Sequence, residues 1–446
     1  MGHLLGPQPV ASAKEYLASE VGGRGIERAV ELGPERTIDE VLRSGLRGRG
    51  GGGFLTGRKW AGVRNQPGTR RYVVANGAEG EPGTFKDRAL LRSNPYQLVE
   101  GVMTAAFAVG AAEAFIAVKA KFAEEADAVT RAVQELQEAG YCSDCKVTIV
   151  RGPDEYLFGE EKALLEVIEG NAPLPRLLPP HEQGLFERQS ESHPTAVNNV
   201  ETLSNVPHIL VRGADWFRSL GTEQSPGTLV CTVVGDTLRA GVGEVELGTP
   251  LRAVLDSIGG GVAGGRSVKA VFSGVANAVL PGDRVDAASL SYEGFTAVGS
   301  GLGAGGFVVY DDTACMVEVA RLFSRFLGIE SCGQCPPCKN GSMEITSLLA
   351  RVEGGVADDH DVAEIGAWLG KVTDGNRCYL AVEEQQMVSS ILRMFPDEFS
   401  EHLTLGRCPR PRPIPLPLLV DITADGRAAY DETHARKRPD WTYEPA

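Results

Sequence analysis

The sequence predicts an α/β protein whose C-terminal part is helical. Segments typical of strands and helices alternate between residues 71 and 150, which indicates βαβ units and a partly parallel sheet. Short strands with glycine-containing turns follow from residue 228, and helical patterns dominate after residue 315. The 446 residues are enough for about three domains.

Composition argues against several classes of protein. The 44 basic and 59 acidic residues give a net charge of −15, and so negative a surface repels nucleic acid. The nine cysteines are an odd number, so we expect reduced thiols in a cytoplasmic protein rather than a disulfide framework. We see no secretory signal in Met1–Glu20. We also expect no membrane span, because the most apolar stretch, 101–118, is short and interrupted by glycine.

The first part of the chain is expected to form the parallel sheet. Strands are predicted at 71–75, 114–118 and 146–150, and helices at 95–109 and 123–139. A further helix is predicted from residue 154, because its opening residues are acidic and suit the positive end of a helix dipole.

A glycine-rich segment precedes the first predicted strand. Seven of the thirteen residues from Gly45 to Gly57 are glycine. Glycine lets backbone N–H groups approach an anion closely, and Arg47, Arg49 and the Arg58-Lys59 pair add positive charge. The segment therefore predicts a site for a nucleotide or flavin phosphate, with a flexible surface loop as the alternative. Its spacing matches neither the P-loop nor the dinucleotide fingerprint.

Polar residues from Asn76 to Arg88 follow the first predicted strand. Ligands of open α/β sheets bind beyond the carboxyl ends of strands, so these residues are well placed. Asn76 offers a donor and an acceptor to a heterocycle. The carboxylates of Glu79 and Glu81 are candidates for shaping a redox site, with an ordinary solvated acidic turn as the alternative.

Two later segments carry further polar candidates. Tyr156 to Glu161 contains two adjacent carboxylates, and Val197 to Leu203 places Asn198 and Asn199 beside the start of a helix. Plain helix capping explains either segment equally well.

The middle part is predicted to be a small β-grasp-like unit. Strands at 228–234 and 244–250, joined by the glycine-containing turn 235–243, would form a hairpin. A helix would run from Pro250 to Ser257, and a strand at 268–272 would complete the unit. No residue of this part indicates chemistry, so we predict a structural spacer.

The run Cys332-Gly-Gln-Cys335-Pro-Pro-Cys338 is the most specific motif in the chain. Three thiolates at this spacing suit one iron–sulfur cluster and need one remote thiolate to complete four ligands. Zinc is the alternative, although structural zinc usually takes paired C-x2-C motifs or histidines. The fourth ligand is Cys378 or Cys408. Cys378 is favoured because the helical patterns at 342–352 and 361–369 would fold back as a bundle.

The remaining cysteines and the tail give weaker signals. Cys142 and Cys145 form a second C-x-x-C without partners at ligand spacing, and Cys231 and Cys315 are expected in the core. The proline-rich segment from Cys408 to residue 417 favours polyproline II. The tail, 404–446, is expected either to wrap a neighbouring chain or to be disordered.

Together these segments resemble the FMN-binding, NADH-oxidising flavoprotein subunit of respiratory complex I and its hydrogenase and formate dehydrogenase relatives. The segments that carry the resemblance, in the family's order, are Gly45–Trp60, Asn76–Arg88, Tyr156–Glu161, Val197–Leu203, and Glu330–Cys338 with Cys378. The resemblance implies five parts: an N-terminal extension (1–36), a Rossmann-like FMN domain (37–220), an SLBB-like β-grasp domain (225–310), a helical bundle with the cluster (315–403), and the tail (404–446).

The resemblance also implies which residues form the site. The candidate catalytic residues are Glu79, Glu81 and Glu160. The [4Fe–4S] cluster would be held by Cys332, Cys335, Cys338 and Cys378. The residues that would bind FMN or the nicotinamide are Gly48, Arg49, Gly50, Gly51, Phe54, Lys59, Asn76, Glu79, Tyr156, Gly159, Glu160, Glu161, Val197, Asn198, Asn199 and Thr202.

The implied reaction is hydride transfer from NADH to FMN, followed by transfer of single electrons to the cluster. The expected partner is a separate [2Fe–2S] thioredoxin-like subunit or a ferredoxin, because no such domain is fused to this chain. Further redox subunits are compatible with this arrangement.

Four positions depart from the family pattern. Ala78 stands where the family has an aspartate, and Gly62, Leu178 and His181 replace an aromatic residue, a lysine and a phenylalanine. Losing two aromatic contacts to adenine, at about 0.5–1.5 kcal/mol each, would weaken NADH binding roughly tenfold to a hundredfold. Two other hypotheses therefore stay open. One is a flavin/iron–sulfur relay that exchanges electrons with ferredoxin or another partner without NADH, and the other is a non-catalytic structural subunit.

Overall fold

The computed structural model describes residues 2–68, 70–141, 145–187 and 191–444. Three groups of elements follow one another along the chain, and a tail packs back onto them. The predicted Cys142–Cys145 motif lies partly outside the described residues, since only Cys145 is described, as a buried thiol.

The first group contains a four-stranded sheet in which all neighbouring strands are parallel. Its strands are β1 (Tyr72–Gly77), β2 (Glu113–Lys119), β3 (Lys146–Gly152) and β4 (Thr195–Asn199), in the order β3-β2-β1-β4. Its helices are α1 (Ala13–Ala18), α2 (Arg24–Leu32), α3 (Pro34–Arg43), α4 (Thr56–Asn65), α5 (Lys86–Ser93), α6 (Pro95–Val109), α7 (Ala123–Glu138), α8 (Glu161–Ile168), α9 (Val200–Arg212) and α10 (Ala214–Arg218).

The predicted alternation of strands and helices is confirmed, and α6 shows why. Asn94 caps the helix by accepting a hydrogen bond from Gln97 N, Pro95 occupies its first turn, and Gly110 ends it in the left-handed conformation. All but one of its fifteen residues are buried. The apolar run at 101–118 is therefore a core helix followed by the buried strand β2.

In this group one predicted helix begins at the wrong residue and one strand was missed. No α-helix begins at residue 154; Tyr156–Gly159 forms a 3-10 turn, and Glu160 caps α8, which begins at Glu161. Strand β4 was not predicted, because its five residues end in Asn198 and Asn199 and look like a helix cap. Pairing with β1 buries it.

The second group is a five-stranded mixed sheet with two short helices. Its elements are β5 (Thr228–Gly235), β6 (Gly241–Glu246), α11 (Leu251–Gly259), β7 (Val268–Phe272), β8 (Leu280–Pro281), α12 (Tyr292–Ala297) and β9 (Gly306–Asp311). The predicted hairpin is present, but β6 begins three residues earlier than predicted, and Pro250 is the N-cap of α11 rather than its first residue. Strand β9 lies between β5 and β7 and was missed.

The third group is helical and has its own buried apolar core. It consists of α13 (Met316–Glu330), α14 (Pro336–Glu353), α15 (Asp359–Leu369), α16 (Leu380–Met394) and α17 (Pro396–Leu405). The chain folds back as predicted, which brings Cys378 near the run at 332–338.

In its described part, residues 404–444, the tail forms strands and packs on its own chain, so the expectation of a disordered end is wrong, whereas contact with a neighbouring chain stays a prediction. Its strands β10 (Leu419–Ile422) and β11 (Ala428–Tyr430) pair antiparallel. Pro417 O accepts a hydrogen bond from Gly83 N at 2.7 Å, and Val420 O accepts one from Arg88 at 3.0 Å. Within the described part of the chain, no helix is both long and apolar enough to cross a bilayer.

Candidate functional site

A cleft of about 430 Å³ opens at the carboxyl ends of β1 and β4. The glycine-rich loop, the turn after β1, the 3-10 turn before α8 and the start of α16 surround it. The predicted residues that line this cleft are Gly48, Gly50, Phe54, Lys59, Asn76, Glu79, Glu81, Tyr156, Gly159, Glu160, Glu161, Val197, Asn198, Asn199 and Cys378.

The glycine-rich loop is a tight hairpin rather than a flexible segment. Gly48 N donates to Phe54 O at 2.8 Å, and Arg47 pairs with Leu55. A Cβ at Gly50 would lie 3.2 Å from the Cβ of Asn199. A Cβ at Gly53, where φ is +61°, would lie 2.5 Å from the Tyr292 ring. Glycine is therefore required here for close approach of the loop to the end of β4 and to α12.

Three of the residues predicted to bind FMN or the nicotinamide do not line the cleft, namely Arg49, Gly51 and Thr202. Arg49 is 1% exposed, and its guanidinium donates to Pro226 O at 3.0 Å, toward the second group of elements. Its backbone N–H donates to Thr202 Oγ1 at 2.8 Å. Arg49 and Thr202 thus anchor the loop, and the Arg49 charge is turned away from the cleft.

Lys59 supplies positive charge at the cleft itself. Its Nζ lies 2.9 Å from Glu161 Oε2 and donates to Val197 O at 3.0 Å. A lysine beside exposed glycine backbone is suited to a phosphate group, because ammonium and backbone N–H groups both donate to anionic oxygens.

The three asparagines at the strand ends hold the cleft in shape. Asn76 donates to Gly159 O at 2.7 Å and Asn198 accepts from Trp60 Nε1 at 2.9 Å. Asn199 donates to Asp87 at 2.7 Å and caps α9. Capping, the alternative interpretation, therefore describes Asn199 correctly, although the residue also lines the cleft.

A buried ion cluster beneath the cleft was not predicted from the sequence. Lys86 Nζ, 1% exposed, lies 2.7 Å from Asp87 Oδ1 and 2.8 Å from Glu201 Oε2. Burial alone would lower the pKa of Lys86, but the two carboxylates raise it above its usual range. In the sequence this cluster is marked by the charged run that opens α5. Local sequence does not distinguish such a run from a solvent-exposed face of a helix.

Glu79 is buried and Glu81 is half-buried, and both carboxylates have protein partners, so neither belongs to a freely solvated turn. Glu79 Oε2 pairs with Arg88 Nε at 3.1 Å. Glu81 Oε2 accepts from the Tyr156 hydroxyl at 2.6 Å, and Glu81 Oε1 accepts from Val275 N at 2.6 Å. Burial raises the pKa of each carboxyl above its ordinary value.

Two residues at the start of α16 complete the floor and rim of the cleft, and neither was predicted. Both oxygens of Glu383 lie 3.2 Å from the Tyr156 hydroxyl. Burial, with Glu81 nearby, raises the pKa of Glu383 well above its usual range. Tyr379, the N-cap of α16, is 52% exposed and places an aromatic ring at the rim. Helical periodicity alone does not reveal which face of α16 meets the cleft.

Glu160 titrates near neutrality. Its carboxylate accepts from Lys162 N at 3.0 Å and Ala163 N at 2.9 Å as the cap of α8. Burial outweighs these hydrogen bonds and raises its pKa to about 7. A carboxyl with such a pKa at a cleft exchanges a proton readily at neutral pH.

The four predicted cluster ligands line one small cavity, to which Leu157, Pro175 and Ala381 also contribute. Its thiols are those of Cys332, Cys335, Cys338 and Cys378. Burial raises the pKa of Cys338 to about 11 and that of Cys378 to about 12. Four thiols around one space are the donor set of an iron–sulfur cluster. Cys408 lies elsewhere, beside Cys315 and His402.

Cys378 lines both the cleft and the thiol cavity. The residues around each of these two spaces fit a cofactor. The cleft offers glycine backbone, the Lys59 ammonium and open space at Gly52, where a Cβ would contact nothing within 4 Å. These features fit a flavin nucleotide, and the four thiols fit a cluster. A flavin in the cleft would lie next to a cluster ligand.

The positions that depart from the family pattern lie mostly outside the cleft. Leu178 is 45% exposed, and His181 and Gly62 are also at the surface. None of the three lines the cleft. Ala78 does line it and is 2% exposed, and Phe54 is 58% exposed at its rim.

Comparison with known proteins finds two family models that match separate parts of the chain. Residues 41–208 match the Nuo51 FMN-binding domain, and residues 318–402 match the iron–sulfur binding region of NADH-ubiquinone oxidoreductase F. The F 2 subunit of NADH-quinone oxidoreductase from Rhizobium meliloti (strain 1021) is 37% identical over 92% of this chain and 96% of its own length. The HndC subunit of the NADP-reducing hydrogenase from Solidesulfovibrio fructosivorans is 34% identical over 89% of this chain and 82% of its own.

A solved structure resembles the fold over nearly the whole chain. The crystal structure of an NAD+-reducing [NiFe]-hydrogenase in the H2-reduced state superposes with a TM-score of 0.78 at 30% identity. The match covers 92% of this chain and 67% of that one. By sequence and by fold, this chain belongs to the family of the F subunits of NADH-quinone oxidoreductase.

Proposed function

We propose that this chain oxidises NADH in the cleft and passes the electrons through the thiol cavity to a partner. The observation that carries the proposal is the position of Cys378, which lines both spaces. FMN and a [4Fe–4S] cluster are the cofactors of the two families that the chain matches. NADH gives two electrons together and a cluster takes one at a time, and bound FMN would supply the conversion between them.

The residues of the chain perform three tasks in this proposal. Lys59 and the backbone of the glycine-rich loop bind the flavin phosphate and ribityl chain. The side chains of Asn76, Asn198 and Asn199 hold the shape of the cleft. The flavin and nicotinamide rings lie against Tyr156, Gly159 and Val197. Glu79, Glu81 and Glu160 are the proposed catalytic carboxyls, of which Glu160 holds or releases a proton near pH 7.

The three groups of elements correspond, in this proposal, to a Rossmann-like FMN domain, an SLBB-like β-grasp domain and a cluster-binding bundle. The chain works as one subunit of a larger redox assembly, because its relatives are named as subunits. A separate [2Fe–2S] thioredoxin-like chain or a ferredoxin is the proposed electron partner. The unpaired thiols of the described residues favour a cytoplasmic setting.

The test is anaerobic addition of NADH to the protein loaded with FMN and iron. We expect the flavin absorbance to bleach. Cys335→Ser, which removes a cluster ligand, is expected to leave this bleaching intact while blocking electron delivery to an added ferredoxin. Lys59→Ala is expected to lower the FMN content. Flavin that stays oxidised with NADH would contradict the proposal.

A second candidate function is a flavin/iron–sulfur relay without NADH. It is favoured by one observation: Leu178 and His181, which stand where the family has a lysine and a phenylalanine, do not line the cleft. Anaerobic reduction of the bound flavin distinguishes NADH oxidation from the relay. Bleaching by reduced ferredoxin but not by NADH would establish the relay.

A further inference from the structure

A second group of metal-ligating side chains lies where three segments of the chain meet, away from the cleft. Cys315 is the N-cap of α13, His402 lies on α17, and Cys408 lies in the tail. One ligand atom from each lies within 4.8 Å of the other two. Cys315 Sγ and His402 Nε2 are 3.4 Å apart. None of the three lines the flavin cleft or the cavity of the four thiols.

The hydrogen bond of His402 fixes which ring nitrogen faces the thiols. Nδ1 lies 2.6 Å from the backbone carbonyl oxygen of Glu398. A carbonyl oxygen only accepts, so Nδ1 carries the proton of the neutral ring and Nε2 presents its lone pair toward Cys315 Sγ. Metal-ligating histidines have this same arrangement, in which the other ring nitrogen donates to a carbonyl or carboxylate.

The donor set selects a particular metal. Two thiolates and one imidazole suit zinc, whereas magnesium and calcium prefer oxygen ligands. Among the described residues, no fourth cysteine, histidine or carboxylate joins the group. Cys315 and His402 are fully buried and Cys408 is half-buried, so the Cys408 side is the one open to water.

We propose that Cys315, His402 and Cys408 bind one zinc ion, with water as the fourth ligand. The ligands come from the link between the second and third groups of elements, from the last helix of the third group, and from the tail. An ion held by all three joins the tail to the helices that carry the cluster cysteines. The proposed role of the ion is to tie the tail to these helices, and its site is distinct from both cofactor sites of the proposed function.

The first test measures metals in the full chain, purified with FMN and iron loaded and without chelators. Elemental analysis is expected to find one zinc beside the iron of the cluster. Cys408→Ser is the first variant, because a half-buried position tolerates serine. It is expected to lose the zinc and to keep iron and FMN. The matched control, Cys145→Ser, changes a buried thiol outside the group and is expected to keep all three.

The second test identifies the ligands by X-ray absorption at the zinc edge. We expect two sulfur atoms at about 2.3 Å and one nitrogen at about 2.0–2.1 Å, completed by oxygen. Removal of zinc is expected to lower the melting temperature of the unsubstituted protein. Added zinc is expected to restore that temperature, and to leave Cys408→Ser unchanged.

Several outcomes would overturn this assignment, whether or not NADH reduces the flavin. They are absence of zinc at full iron content, zinc retained by Cys408→Ser, and zinc coordinated by four sulfur atoms, which would place the ion among the cluster cysteines. A disulfide between Cys315 and Cys408, detected by mass spectrometry of unreduced peptides, would replace the metal site by a redox pair.

Discussion

At the scale of single residues, two carboxyls share one phenol at the floor of the cleft. The Tyr156 hydroxyl contacts Glu81 at 2.6 Å and Glu383 at 3.2 Å. A phenol donates only one hydrogen bond, so the second contact is attractive when that carboxyl is protonated. Burial raises the pKa of both carboxyls. The group therefore keeps a proton to higher pH than solvated carboxyls do.

Glu383→Gln tests the role of that proton. Glutamine keeps a hydrogen bond to Tyr156 but does not ionise. In the unsubstituted protein, rising pH ionises Glu383 and adds negative charge beside a site for anionic NADH, so we expect NADH affinity to fall toward alkaline pH. The variant is expected to show a flatter profile in anaerobic flavin-bleaching titrations. Glu344→Gln, at an exposed position of α14, is the control. Equal slopes in all three proteins would contradict the prediction.

Glu384 makes a separate prediction about stability. It is fully buried, accepts from Ser324 Oγ at 2.6 Å, and its Oε2 has no partner among the described residues. Burial raises its pKa to about 8, above the value in an unfolded chain. The folded state then binds more protons, so its stability is greatest below the unfolded pKa and falls as pH rises through about 8.

Glu384→Gln is therefore expected to be more stable than the unsubstituted protein at alkaline pH, by an amount on the order of a few kcal/mol. The two proteins should converge in mildly acidic buffer. Thermal denaturation across this pH range measures the difference. A constant offset between the two proteins at every pH would show that ionisation of Glu384 is not the cause.

At the scale of elements, the glycine-rich loop leads to a prediction about FMN affinity. Gly52 lines the cleft, and a Cβ there would meet no protein atom within 4 Å. The Cβ of Gly52→Ala therefore disturbs no packing within the chain. We expect unchanged melting of the cofactor-free protein and an FMN affinity about tenfold weaker, or about 1.4 kcal/mol.

Gly62→Ala is the matched control for this loop. Gly62 is exposed on α4, and its Cβ would also contact nothing within 4 Å. Alanine at this helical position is expected to leave FMN affinity unchanged and to add slight stability. Fluorescence titration of FMN compares the two variants. Equal FMN affinity in both would contradict a flavin beside Gly52.

Element boundaries show the limits of local pattern. Helix α6 was predicted to the residue because its cap, first-turn proline and terminal glycine all lie in its own sequence. Strands β4 and β9 were missed, and their neighbours in the sheets are far away along the chain. The composition of β4 is not typical of a strand, and its pairing with β1 makes it one, whereas Phe307 to Tyr310 of β9 have strand-forming side chains that were overlooked in the sequence.

At the scale of the whole molecule, the tail is bound to the segment just before Cys332 and, through that segment, to Tyr156 at the cleft. Glu330, just before the cysteine run, is 2% exposed. Its Oε1 lies 2.9 Å from His434 Nε2 and 2.8 Å from Lys437 Nζ. Its Oε2 accepts a hydrogen bond from Tyr156 N at 2.9 Å. Burial alone would raise the pKa of Glu330, but His434 and Lys437 lower it to about 2.

Lys437→Met tests this connection. Removing one partner of a buried ion pair leaves the other charge uncompensated and typically costs about 3–5 kcal/mol. We expect a loss of about 3 kcal/mol, the lower end of that range, because His434 still donates to Glu330. Denaturant unfolding measures it. Arg427→Met, at a tail side chain that is 81% exposed, is the control and should change stability by less than about 0.5 kcal/mol.

The same group predicts acid sensitivity. The folded pKa of Glu330 is lower than the unfolded value, so its contribution to stability is complete above the unfolded pKa and is lost as pH falls toward about 2. In the Lys437→Met variant, the stability is expected to fall less steeply as the pH is lowered. Acid denaturation curves that run parallel for the two proteins would contradict the assignment.

The pattern of amino acids along the chain is enough to predict the division into an α/β part, a β-rich part and a helical part. It also reveals the glycine-rich loop and the cysteine spacing, because these depend on residues close together in the chain. The folded chain was needed to show that Cys378 rather than Cys408 lines the thiol cavity, that Arg49 turns away from the cleft, and that Glu383 faces Tyr156. Each of these contacts joins segments far apart in sequence, and packing between elements brings them together.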